Sequence, residues 1–176
     1  MIEMRRKNLT LPLILLTLFI VGLTHFRVGV ARQPTVISIE PPIGTANPGE
    51  TFTLNITVAD VTNLNHWEVK LKWDTSVLEF PPTINQGPFL SDVGPTELYW
   101  NPLQMLSSIQ VGETLLINAG ATGSGTLATI EFTIMNAGNC TLELWETLLY
   151  DPDESPITHA TEDGYFYTTK PFASFT

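Results

Sequence analysis

The chain has 176 residues, 43% of them hydrophobic, which is enough for one domain with a packed core. Residues 34–176 carry three basic and seventeen acidic side chains, a net charge of −14. That balance argues against nucleic-acid binding and against docking on anionic lipid, both of which need clustered Lys and Arg. A single cysteine, Cys140, rules out an intrachain disulfide.

The first element in chain order is a leader over residues 1–33. A basic start (Arg5, Arg6, Lys7) precedes an apolar, uncharged run from Leu9 to Phe26, the pattern of a secretory signal. The run is also close to the ~20 residues a membrane span needs, so it reads either as a cleaved signal peptide or as an N-terminal membrane anchor. Both readings put the body of the protein, residues 34–170, outside the cell or at its surface, tethered if residues 9–26 stay in place. Residues 171–176 form a short tail.

From Thr35 onward the pattern is short strands separated by Gly, Pro and Asn. Nine strands are expected: 35–40, 50–60, 66–74, 77–80, 97–101, 113–118, 125–135, 141–146 and 163–169. Phe52, Leu54, Ile56 and Val58 alternate with Thr51, Thr53, Asn55 and Thr57. Trp67, Val69, Leu71 and Trp73 alternate with His66, Glu68, Lys70 and Lys72. Residues 81–96 and 102–111 read as long surface loops, or as a loop with one short helical turn around 103–108. The fold class is all-β, a nine-stranded β-sandwich with jelly-roll topology.

Pro48-Gly49-Glu50-Thr51-Phe52 through Val58, Trp67 through Phe80, Gly123 through Phe132 and Asp163-Gly164-Tyr165-Phe166, in that order, resemble strand motifs of the cohesin domain family. The first is similar to the family's second strand. Trp67 through Phe80 is similar to the third strand and the turn after it, where an aromatic-Asp pair (Trp73-Asp74) closes the strand. Gly123 through Phe132, with Gly125, Leu127, Ala128, Ile130 and Phe132, resembles the seventh strand, and Asp163-Gly164-Tyr165-Phe166 the last. These motifs run in the family's order across 35–169. The resemblance implies a non-catalytic module that docks a dockerin-type protein through a flat sheet face formed by the third, fifth and sixth strands. Such modules assemble polysaccharide-degrading complexes in some bacteria and occur in other prokaryotic surface proteins. The resemblance also implies that any calcium in the partnership belongs to the dockerin, so no cofactor is expected here.

The candidate partner-binding residues follow from that face. Glu68 falls, by alignment back from Asp74, where the family has an acidic contact residue. His66, Lys70 and Lys72 share its side of the strand, and Tyr99 and Asn118 come from the fifth and sixth strands. The plain alternative is a solvated strand face. A second functional reading is a carbohydrate-binding module. Trp67 and Trp73 belong to the core side, whereas Trp100 and Trp145 are free to stack on sugar rings.

Asp151, Asp153 and Glu154 form an acidic turn that could hold calcium, but the EF-hand spacing and its Gly are absent, and a plain Asp-Pro turn explains the residues as well. Asn55-Ile-Thr57 and Asn139-Cys-Thr141 are glycosylation sequons. Cys140 reads as an apolar filler at a strand start. No nucleophile elbow, zinc-type His pair or phosphate loop occurs, so the chain is not expected to be an enzyme.

Overall fold

The computed structural model describes residues 33–80, 82–103 and 107–169. The leader, the run 9–26 and the tail 171–176 lie outside the described residues. Among the described residues no helix is long and apolar enough to cross a membrane.

Eleven strands are present: β1 (Thr35–Glu40), β2 (Ile43–Ala46), β3 (Thr51–Leu64), β4 (His66–Lys72), β5 (Thr83–Gln86), β6 (Thr96–Leu103), β7 (Ser108–Leu115), β8 (Ala121–Thr133), β9 (Asn139–Tyr150), β10 (His159–Glu162) and β11 (Gly164–Thr168). One short helix, α1 (Pro88–Ser91), sits between β5 and β6. The strands form two sheets, one ordered β10-β1-β3-β8-β5 and the other β2-β11-β9-β4-β7-β6.

The expected count of nine was too low, and the differences have local causes. Strands β2, β5 and β10 are four residues each, largely exposed and without a buried stripe, so no alternation marks them. Each is held by backbone pairing to a longer neighbour. Residues 77–80 form no strand; Leu78 makes one isolated bridge to Ile134. The strand expected at 113–118 is β7, which starts at Ser108 and ends at Leu115. The helical turn expected around 103–108 falls partly on residues 104–106, outside the described residues, while α1 occupies a stretch read as loop.

The core follows from strand alternation. Leu54, Ile56, Trp67, Val69, Leu71, Leu127, Ile130, Phe132 and Phe166 are fully or almost fully buried between the sheets. Each such aliphatic or aromatic side chain contributes about 1.5–3 kcal/mol by leaving water. Strand β3 outruns its alternating segment through two of the three irregularities in its pairing with β8, those between Val58 and Val61 and between Val61 and Leu64. Asp60 (φ 54°) and Asn63 (φ 58°) take up the extra length in the left-handed region. Their N–H groups are caught by Ser124 Oγ and Thr122 Oγ1, both at 2.9 Å. The inward positions therefore shift from a spacing of two to a spacing of three, and Val61 and Leu64 still reach the core.

The Asp74 turn forms as its residues suggest: Asp74 Oδ1 accepts from Ser76 N at 2.8 Å and from Ser76 Oγ at 2.6 Å. Cys140 is buried near the start of β9, and burial raises its thiol pKa.

Candidate partner-binding face

The outer face of the six-stranded sheet is set by the register of β4 with its neighbours. Because Trp67, Val69 and Leu71 point into the core, His66, Glu68, Lys70 and Lys72 must point out. On one side they oppose Thr114, Gly112, Gln110 and Ser108 of β7, which in turn oppose Glu97, Tyr99, Asn101 and Leu103 of the edge strand β6. On the other side they oppose Tyr150, Leu148, Glu146 and Glu143 of β9.

The centre of this face is rigidly arranged. The Tyr99 hydroxyl donates to Glu68 Oε2 at 2.8 Å, crossing β7 above Gly112. Glycine is required there: a Cβ on Gly112 would overlap the Tyr99 phenol and sit 2.8 Å from the Trp67 carbonyl oxygen. Burial, helped by the hydrogen bond to Glu68, pushes the Tyr99 phenol far above its ordinary range, so it stays a donor at any physiological pH. The His66 ring lies beside both Tyr99 (centroids 6.4 Å apart, planes at 13°) and Tyr150 (5.9 Å, 37°), and its Nδ1 pairs with Thr114 Oγ1 at 2.6 Å. Burial lowers the His66 pKa and Glu68 partly offsets that, so the ring is held neutral near pH 7.

Lower on the same face Lys70 Nζ bonds Glu146 Oε2 at 2.6 Å and stands 5.2 Å from the Trp145 ring centroid. Trp145 reaches this side because the pairing of β4 with β9 slips by one residue between Lys70 and Leu71, leaving Trp145 as the extra residue of a bulge.

The structure thus brings His66, Glu68, Lys70 and Tyr99 together, with Lys72 at the far end of β4. Asn118 is not among them. It is exposed in the bend after β7, because β7 ends at Leu115 and Leu115, not Leu116, is the residue turned into the core. Sequence reading missed Tyr150, Glu146 and Gly112. A glycine inside a strand, between Val111 and Glu113, was the available signal of a close approach.

Glu113, on the opposite side of β7, is fully buried. Its Oε2 accepts from the Trp67 indole N–H at 3.2 Å and its Oε1 from Gln86 Nε2 at 2.5 Å. Gln86 also donates to Thr96 Oγ1. The carboxylate therefore ties β7 to β5 of the other sheet through fully satisfied hydrogen bonds.

The remaining candidates are placed apart from the centre of this face. Asp151 Oδ1 accepts from the N–H groups of Asp153 (2.9 Å) and Ser155 (2.8 Å), the geometry of an Asp-capped turn. Among the described residues no group of three or more His, Cys, Asp or Glu is disposed to hold a metal ion. Asn55 is half-buried with its Oδ1 accepting from Thr129 Oγ1 at 2.8 Å, whereas Asn139 is exposed at the start of β9. Trp67 and Trp73 are in the core and Trp100 and Trp145 are exposed. Trp100 opposes the buried Val111, so it projects from the side of the sheet opposite Trp145. The two exposed indoles cannot form one stacking platform.

A two-sheet sandwich of this strand order, presenting one polar and aromatic sheet face, is an all-β module of the cohesin type. The cohesin domain family model matches residues 37–165, and the chain belongs to the cohesin family. No curated protein matches the chain in sequence. Solved structures share its fold at low identity. A non-cellulosomal cohesin from the hyperthermophilic archaeon Archaeoglobus fulgidus aligns with TM-score 0.65 and 18% identity over 78% of this chain and 93% of that one. A type II cohesin domain from the cellulosome of Acetivibrio cellulolyticus gives 0.67 and 16% over 76% and 95%. The cohesin of a type I cohesin–dockerin complex from Clostridium thermocellum gives 0.65 and 13% over 78% and 100%.

Proposed function

We propose that this chain is a non-catalytic docking module that binds a dockerin-type protein on the outer face formed by β6, β7, β4 and β9. The observation that carries the reading is the preorganised centre of that face in a member of the cohesin family: Glu68 is held by Tyr99 at 2.8 Å, with His66 packed between two tyrosine rings. Fixing side chains before binding lowers the entropy lost on association. A similar fold docked to a dockerin in the Clostridium thermocellum complex supports the same partner class. The module works outside the cell, exported by residues 1–33 as signal or tether, in an assembly linked to polysaccharide breakdown. Calcium enters with the dockerin, and the exposed Asn139 is the more accessible of the two sequons.

The test is retention of dockerins encoded in the same genome on the immobilised full-length chain. At least one dockerin is expected to bind. Glu68→Ala and Lys70→Ala should each weaken it about tenfold, the effect of ~1.4 kcal/mol lost from a central contact. Retention on glucan or chitin with no dockerin bound would replace this reading with the carbohydrate one.

A further inference from the structure

A cleft of about 430 Å³ opens where β4 begins and β9 ends, lined by Asn65, His66, Thr114, Tyr150, Asp151 and Glu154. It adjoins the face described above through His66, whose ring is shared by both. The hydrogen-bonding capacity of its lining is lopsided. The Asn65 side-chain N–H groups are spent on the carbonyls of Ile117 (3.0 Å) and Ala119 (2.7 Å), and Thr114 Oγ1 is engaged with His66 Nδ1. Asp151 uses only Oδ1, for its own turn, and the Glu154 carboxylate makes no hydrogen bond within the described residues. The only ion pair among those residues is Lys70–Glu146, so neither cleft carboxylate has a cation beside it. What is left open is a set of acceptors in a cleft whose wall the Tyr150 and His66 rings complete.

We infer that this cleft receives a guanidinium group, an arginine side chain presented by the docked partner. The planar cation donates to both carboxylates and packs on the Tyr150 ring in the cleft wall, a combination that an ammonium or a neutral sugar hydroxyl meets only in part. The body's net charge of −14 favours approach of such a cation. A neutral His66 adds no repulsion. That the arginine comes from a dockerin rests on the docking reading above; the cation chemistry of the cleft does not.

The test uses isotope-labelled full-length chain in neutral detergent, titrated with N-acetyl-arginine amide and, separately, with N-acetyl-citrulline amide, its uncharged isostere. The arginine probe should shift the amide signals of His66, Thr114, Tyr150 and Glu154, and Glu154→Gln should weaken that response at least threefold. Equal shifts from citrulline, or shifts spread over the acidic surface and unchanged in Glu154→Gln, would overturn the proposal. A dockerin that binds wild type and Glu154→Gln equally, yet loses affinity on Glu68→Ala, removes the partner's arginine from the cleft and leaves docking intact. An arginine-specific response with no dockerin retained upholds the cleft's chemistry and overturns docking.

Discussion

Tyr99 and Glu68 lie on strands that do not touch, β6 and β4, yet the phenol donates to the carboxylate at 2.8 Å across the intervening β7. Gly112 makes this possible by leaving the outer surface of β7 bare at that point. Replacing it should cost more than a surface substitution does. Gly112→Ala is expected to lose about 1–3 kcal/mol of stability by overpacking against Tyr99 and the Trp67 carbonyl. It should also weaken partner binding more than Tyr99→Phe, which keeps the ring and loses one hydrogen bond. Urea denaturation and binding titrations on the two variants would show the order.

The buried Glu113 supports a second prediction. Glu113→Ala leaves the buried Trp67 indole N–H without its acceptor inside the sandwich, whereas the exposed Gln86 keeps Thr96 Oγ1 and water. A loss of ~1–3 kcal/mol for the orphaned indole is expected, visible as a lower urea midpoint and a changed near-ultraviolet tryptophan signal. Glu113→Gln keeps one acceptor oxygen and should lose less. Equal stability of Glu113→Ala and wild type would show that the carboxylate costs as much to bury as its bonds return.

His66 links the face to pH. Burial lowers its folded-state pKa from about 6.5, with Thr114, Tyr99, Tyr150 and Glu68 facing the ring. For a depressed pKa the unfolded chain takes up the proton first. The stabilisation is therefore complete above about pH 6.5 and is lost as pH falls toward the folded-state value. Wild type should lose stability between pH 7 and pH 5 by more than His66→Gln does, as read from urea midpoints at the two pH values.

The turn after β4 gives a local check. Asp74→Ala removes the acceptor for Ser76 N and Ser76 Oγ and should cost about 1 kcal/mol. Asp74→Asn retains an oxygen at the same place and should stay within about 0.5 kcal/mol of wild type by the same measurement.

Legibility in the sequence tracked how local each cause was. The alternation in 52–58 and 67–73 assigned the core and the outward row His66, Glu68, Lys70 and Lys72, since a strand has only two faces. Asp74-Thr75-Ser76 declared its turn through one side chain bonding two residues on. The motif order pointed to the cohesin family, which the match over 37–165 establishes. Pairing partners were a different matter. Strands β2, β5 and β10 exist because a neighbour offers backbone groups, and four largely exposed residues carry no periodic trace of that. The bulge that turns Trp145 beside Lys70, the placement of Tyr150 against His66, and the end of β7 that excludes Asn118 from the face are all properties of register.

The sequence by itself determined a two-faced β-sandwich of the cohesin type, because burial of alternate apolar residues is encoded along each strand. Which polar residues meet was decided only by the tertiary structure. Tyr99 and Glu68 are 31 positions apart, and their contact depends on the alignment of three strands and on the missing side chain at Gly112. Such a contact is a sum of long-range registers, and no local pattern records it.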